Sequence, residues 1–331
     1  MPVPRMTTYS RIRKKRPIKR GVIIISRFLL INVLFFILTA PFIVLYGPFD
    51  NLRTTAIGSI ITSRHHDWLR YVLSSEQYNK YVPDNLEQPN GSGGKDFSNS
   101  HGSEVTLTQI SSSRFNGYLL EIQDPTRVRV GVTSNLGTKG ESTSDIARDN
   151  RAIAAVNAGG FVDPLGTGTG KTPLGVIVHN GYFQYGANAR GKVPLIGLDS
   201  QGVLITGNYT VKEIQEMDIK EGISFDYPTL IRNGKKQITK EVSAQYGLQP
   251  RTAIGQKADG HILLLVIDGR QTSSLGASLL DVQNILYDNG AVTATNLDGG
   301  ASTTMCYNGK VINNPSLLMG ERLVPTAMVV I

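Results

Sequence analysis

The stretch GTGTGKTPLGVIVHNG, residues 166–181, decides which fold the chain adopts. Its first half imitates a phosphate-binding loop, which would put a strand before it, a helix after it and a nucleotide between them. That loop reads GxxxxGK[ST], so Gly170-Lys171-Thr172 requires a glycine at 165, where the chain has Leu165. Pro173 follows Thr172, and LGVIVHNG then alternates and turns as a hairpin strand does. This context excludes the nucleotide-binding α/β unit and points to a β-rich domain.

Short β-like runs recur on both sides: YLLEIQ (118–123), RVRVGVT (127–133), AIAAVN (152–157), HILLLVID (261–268), VTATNLD (292–298) and AMVVI (327–331). Helical patterns are fewer. One spans 142–150, with Ser142, Thr143 or Ser144 available as N-cap, and another spans 210–218. The longest spans 275–290, with Leu275, Leu279, Val282 and Leu286 on one stripe and Gly290 as its stop. Strands outnumber helices without regular βαβ alternation. The expected class is therefore α+β: a mixed, largely β-sheet domain with a few packed helices over residues 105–331. NRAIAAVN (150–157) and NGAVTATN (289–296) share four of eight positions; each follows a helical pattern and runs into glycines. The echo is either a repeated unit, whose two glycine loops then face one site, or a coincidence between two helix–strand–loop segments.

The N-terminal region is of another kind. Lys and Arg total 34 against 26 acidic residues, but nine of the cations lie in the first 27 residues, which hold no acid. The remainder is close to neutral, so the basic balance belongs to a tail and gives no reason to expect nucleic-acid binding. FLLINVLFFILTAPFIVLYG (28–47) is uncharged and long enough to cross a hydrocarbon core of about 30 Å. The positive-inside rule puts residues 1–27 in the cytoplasm and the C-terminal domain outside the cell membrane, in a single-pass arrangement. An uncleaved anchor is expected rather than a signal peptide, since no small-x-small cleavage site follows. Residues 48–82 read as a helical stalk. Residues 83–104, rich in Pro, Gly, Ser and Asn, read as a flexible linker. Cys306 is the sole cysteine, so the chain forms no internal disulfide.

Candidate chemistry gathers where apolar strands end. AIAAVN opens into NAGGF (157–161), HILLLVID ends in Asp268-Gly269-Arg270, and VTATNLD ends in DGGASTT (298–304); Arg251 and Thr252 begin another strand. Asp268, Asp298, Arg251 and Arg270 offer carboxylates for acid–base or nucleophilic work and guanidinium forks for phosphate. Ser302 and Thr303 read as hydroxyl donors toward an anion beside a glycine turn. For each residue alone, a plain turn or an internal ion pair is the competing explanation. Tyr182, Phe183 and Tyr185 could stack on a sugar face or simply pack on their own sheet. No GxSxG surrounds a serine and no HExxH pairs the five histidines, so a serine-hydrolase elbow and a zincin site are excluded. His65, His66 and His101 fall in the stalk and linker.

In order along the chain, ESTSDIA, AAVNAGGF, TPLGVIVHNG, PRTAIGQ, VIDGRQ and NLDGGASTTM resemble the phosphodiester glycosidase family. The resemblance covers roughly residues 105–331. It implies hydrolysis of a sugar-1-phosphodiester, with Asn157, Gly159, Gly160, Gly299, Gly300, Ser302 and Thr303 against the substrate. Asp298 or Asp268 is then the reacting carboxylate, and Arg251 and Arg270 meet the phosphate. Ala301 stands where a third glycine is frequent, and NAGGF stands where NGGYF or NGGFF is common. No cofactor is implied; a divalent cation between the two aspartates is left open. The expected partners are a sugar-phosphate or phosphorylated glycopolymer of the cell envelope or an exopolysaccharide, and the membrane. A non-catalytic protein that binds such a polymer, or serves its assembly, is the alternative. GTGTGKT then reads as a mobile rim or lid, with Lys171 reaching a substrate phosphate.

Overall fold

The computed structural model describes residues 20–48, 53, 57, 71, 73, 74, 97, 102–163, 168–226 and 228–331. The basic residues 1–19, most of the stalk and linker, and His65, His66 and His101 lie outside the described residues. Two compact units divide the chain, Met1–Ala56 and Ile57–Ile331.

The first unit contains helix α1 (Arg20–Tyr46), with Pro41 inside it. It starts eight residues before the uncharged run. The segment Ile24–Val44, of mean hydropathy 2.2, is long and apolar enough to cross a membrane.

The second unit is largely β, as expected, and its strands divide among three larger sheets and one small hairpin. The first, of seven strands, runs β1 (Val105–Ser111), β2 (Asn116–Ile122), β15 (Ile262–Ile267), β14 (Arg251–Lys257), β16 (Ala291–Leu297), β12 (Thr229–Arg232) and β13 (Lys235–Lys236). The second, of five, runs β10 (Leu204–Thr210), β9 (Lys192–Asp199), β11 (Ile219–Ile223), β7 (Ile177–His179) and β8 (Tyr182–Tyr185). The third, also of five, runs β18 (Lys310–Val311), β17 (Met305–Tyr307), β4 (Ala154–Asn157), β19 (Thr326–Val330) and β3 (Val128–Val132). A small hairpin joins β5 (Phe161–Val162) to β6 (Thr172–Pro173). Every ladder among the described residues is antiparallel.

Period-2 alternation explains how the sheets stack. Leu120, Leu264 and Val266 of the first sheet, Ala154, Val156 and Met328 of the third, and Ile177, Ile196 and Ile223 of the second meet in one shared core. The intervening residues face outward and are covered by helices. Ala155, Ala327 and Val329 pack on Ile146 and Ala147 of α2 (Thr143–Asp149). Leu263, Leu265 and Ile267 pack with Leu279, Val282 and Leu286, which lie on α5 (Leu279–Asp288). Leu275 drops out of the predicted stripe, being 54% exposed and ahead of the helix start. Two shorter helices, α3 (Val211–Glu216) and α4 (Lys240–Tyr246), complete the unit, and α4 has no counterpart in the sequence reading. In the expected flexible linker, Phe97 is buried, its N–H donating to Gln201 O at 2.9 Å.

The sequence echo corresponds to a repeated architecture. In β3–α2–β4, both strands lie antiparallel to β19, which sits between them; in β15–α5–β16, β14 takes that place. Both helices open on a serine N-cap with aspartate three residues on, Ser142/Asp145 and Ser278/Asp281. Both close on an asparagine, Asn150 or Asn289, whose Nδ2 donates 2.8 Å back to the carbonyl four residues earlier. The second helix is longer by three residues, about one turn.

Candidate active site

The two repeated strands bring their C-terminal ends together. Asp298 N–H donates to Ala158 O at 2.9 Å, and Asn157 Nδ2 donates to the Asp298 carbonyl. Asn157 Oδ1 accepts from Thr252 Oγ1 at 2.8 Å and from Thr304 N–H at 3.1 Å. This side chain is fully buried with both ends of its amide engaged, so it stitches the first sheet to the third. It positions the loop after β16 rather than presenting a free amide to a ligand.

That loop carries Asp298, Gly299 and a 3-10 turn, Gly300–Ser302. Gly300 has φ +61°, its N–H donates to Pro250 O at 2.9 Å, and an added Cβ would lie 3.2 Å from Arg270 Nη2. The Arg270 guanidinium therefore lies over this glycine. Arg270 is exposed, sits in the left-handed region at φ 60°, and donates from Nη2 to Gln249 Oε1 at 3.1 Å.

Asp298 lies deep in the protein mass yet keeps some accessible surface. Burial pushes its carboxyl up to about 6; the Ser302 hydroxyl, the Arg322 charge and the Gly299 N–H pull the other way. Arg322 is held in place by an ion pair with Asp163 and by the Phe161 ring, 4.8 Å from its Cζ. Asp268 is buried too. Burial raises its carboxyl, against hydrogen bonds to Oδ1 from Asn313 Nδ2 (2.9 Å) and Asn314 N–H (3.0 Å). Asn313 also donates to Thr303 O at 3.2 Å, tying Asp268 to the back of the Asp298 loop.

The predicted residues divide accordingly. Asp298, Gly299, Gly300, Ser302 and Thr303 share the loop after β16, Arg270 reaches it from the segment after β15, and Asp268 is tied to it through Asn313. Arg251 is turned elsewhere: it is buried, and its guanidinium donates to the carbonyls of Ala277, Tyr246 and Gly247. These bonds give it an architectural duty, tying β14 to the C-terminal end of α4. Gly159 and Gly160 spend their N–H groups on Thr326 Oγ1 (2.9 Å) and Ser224 O (3.0 Å). A Cβ on Gly159 would meet Thr326 Oγ1 at 2.9 Å, and one on Gly160 would meet Leu174 Cδ1 at 2.8 Å. Both are thus glycines of close packing. Lys171 is exposed on the β5–β6 connection. The described part of that connection is pinned: Thr169 O accepts from Gly140 N–H at 2.7 Å, and Gly170 lies against the Leu323 main chain.

Arg322, Asp163, Asn313 and Gln249 went unmarked in the sequence. Arg322 precedes β19, and it reaches the site because that strand pairs directly with β4 (Ala327 opposite Asn157), a neighbourhood the sequence does not show. Among the described residues, no three His, Cys, Asp or Glu side chains converge in a way that could hold a metal ion.

The phosphodiester glycosidase family model matches residues 150–331, from the C-cap of α2 through β19, a stretch that includes the loops after β4, β15 and β16. The chain belongs to the phosphodiester glycosidase family. It is 28% identical over 201 residues to the SPbeta prophage-derived uncharacterized protein YomE of Bacillus subtilis, covering 58% of this chain and 29% of that one. It is 27% identical over 224 residues to the N-acetylglucosamine-1-phosphodiester alpha-N-acetylglucosaminidase of Bos taurus, covering 60% of this chain and 40% of the bovine protein. The chain thus spans less than half the length of these relatives. The zebrafish N-acetylglucosamine-1-phosphodiester alpha-N-acetylglucosaminidase catalytic domain, solved auto-inhibited by its pro-peptide, superposes with a TM-score of 0.56 at 25% identity. That match covers 73% of this chain and 87% of the zebrafish one.

Proposed function

We propose that residues 105–331 hydrolyse a sugar-1-phosphodiester bond, with Asp298 as the reacting carboxylate. What carries this reading is the placement of Asp298, deep in the protein yet partly accessible, with the Arg270 guanidinium over the adjacent turn and the Arg322 charge acting on a carboxyl that burial pushes up to about 6. A carboxyl poised near neutrality is ionised for attack at working pH and remains basic enough to take a proton. Asp298 then attacks the anomeric carbon, forming a glycosyl ester that water hydrolyses in a second step, or it deprotonates a water that attacks directly. The bond from that carbon to the phosphate oxygen breaks, and its electron pair leaves with a phosphate monoester. Such a leaving group is a stable anion, so cationic stabilisation by Arg270 matters more than a strong general acid. Asp268, held by Asn313 and Asn314, braces the loop in this scheme. The basic tail and α1 support an anchored enzyme with its domain outside the cytoplasm, acting on phosphorylated glycans of the cell envelope.

The test is turnover of UDP-N-acetylglucosamine by the full chain, chosen because the bovine and zebrafish relatives are named for that sugar. Free N-acetylglucosamine and UDP are the expected products, with activity reduced by about a thousandfold or more in Asp298→Asn. Release of the sugar 1-phosphate with UMP would mean the other bond breaks. Binding without turnover would favour a non-catalytic polymer-binding protein.

A further inference from the structure

A cavity of about 630 Å³ opens between the β5–β6 hairpin and the edge strand β8, apart from the polar cluster at Asp298. The hairpin supplies Val162, Thr172 and Leu174 to one wall; Phe183, Gln184 and Tyr185 supply the other. The turn 186–189 closes one end. Its position is fixed by a glycine pair, since a Cβ on Gly186 would fall 2.1 Å from Gly175 O. The volume falls within the roughly 300–1,000 Å³ of small-molecule sites.

The chemistry of the lining is selective. It contains two aromatic rings, the hydroxyls of Thr172 and Tyr185, the amides of Gln184 and Asn188, and no charged side chain. Phe183 and Tyr185 are half-buried, anchored on two cores while lining the groove, so their rings are held rigidly. Tyr182, 74% exposed, takes no part in the lining. Cations stand immediately outside it. Exposed Lys171 precedes Thr172 and exposed Arg190 follows Ala189, with neither paired to a carboxylate among the described residues. Aromatic faces with amide and hydroxyl partners suit the C–H face and hydroxyls of a pyranose, and a cationic rim suits phosphates on either side of it.

We propose that this groove binds a neutral sugar ring of the phosphorylated glycan, next to the unit cleaved at Asp298. The identity of the ligand rests on the hydrolase reading, and the hairpin joins the two places. Val162 lines the groove, while the next residue, Asp163, holds Arg322 for Asp298. Lys171 then serves the groove's rim rather than the leaving phosphate.

Saturation-transfer NMR with methyl α-N-acetylglucosaminide tests this on the full chain, in a sugar-free zwitterionic detergent. Transfer to the ring protons is expected for the wild type and for Asp298→Asn. Ala187→Trp fills the groove from an exposed turn and should weaken binding at least about tenfold; Asn188→Ala should weaken it about threefold. Undiminished binding by both groove variants, or no binding by the wild type up to ~10 mM, would overturn the groove assignment. In either case, continued turnover of UDP-N-acetylglucosamine leaves the hydrolase reading standing. Binding lost in Ala187→Trp, in a protein that turns over no sugar phosphodiester, supports the groove and removes the hydrolase reading.

Discussion

Asp298 titrates in a direction that separates its cost to stability from its use in chemistry. Its folded-state value is raised from 3.8 to about 6, so the folded protein binds this proton more readily than the unfolded chain does. The stabilisation is therefore complete below the unfolded value and is lost as pH rises through about 6. Replacing the buried charge by Asp298→Asn should raise stability at pH 8 by roughly 1–3 kcal/mol while abolishing turnover, read by denaturant titration beside an activity assay. Equal or lower stability in the variant would show that Asp298 is not strained by burial. Gly300 makes a second test. At φ +61°, with Arg270 against its open side, Gly300→Ala should cost about 1 kcal/mol and lower kcat/KM by displacing the guanidinium. Some of this could be read from residue types alone: an Asp followed by two glycines after an apolar strand announces a tight loop with a carboxylate on it. The role of Arg251 could not, because its acceptors are main-chain carbonyls 26, five and four residues away, and nothing in the side-chain sequence marks them. Arg322 was hidden for the same reason, its place depending on β19 lying beside β4.

At the scale of elements, the repeated strand–helix–strand unit explains why two glycine loops far apart in sequence share one place. The first helix was legible through its serine cap, the second through its apolar stripe and the glycine that follows it. The Ser278 side chain and Asp281 complete a reciprocal capping box at the start of α5. Ser278→Ala should cost about 1 kcal/mol, read by thermal or chemical unfolding. The strands were legible by apolar runs, but their distribution among three sheets was not. The unbroken apolar runs of β15 and β4 say that both faces are covered, without saying by what. Helix α4 escaped notice because KEVSAQY is short and weakly patterned, and its end is held by Arg251. The glycines of residues 166–172 were read as a lid, yet those described are pinned beneath Leu323 and against Gly140 through contacts long in sequence.

For the whole molecule, α1 and the β-rich unit are two separate compact bodies. The span Ile24–Val44 should keep the full chain in the membrane fraction through an alkaline wash, and protease added outside intact cells should digest the C-terminal domain. Protection of that domain would reverse the orientation. The central claim is that an ionised Asp298, tuned by its surroundings, carries out the chemistry. The most direct measurement is the pH dependence of kcat/KM for UDP-N-acetylglucosamine, in the wild type and in Arg322→Gln. Activity should rise with pH through an apparent value of about 6 in the wild type. In Arg322→Gln, where the nearby positive charge is gone, that limb should move to higher pH and kcat/KM should fall by about 10–100-fold. A profile flat between about pH 4 and 8, or a limb that stays in place when Arg322 is replaced, would contradict it.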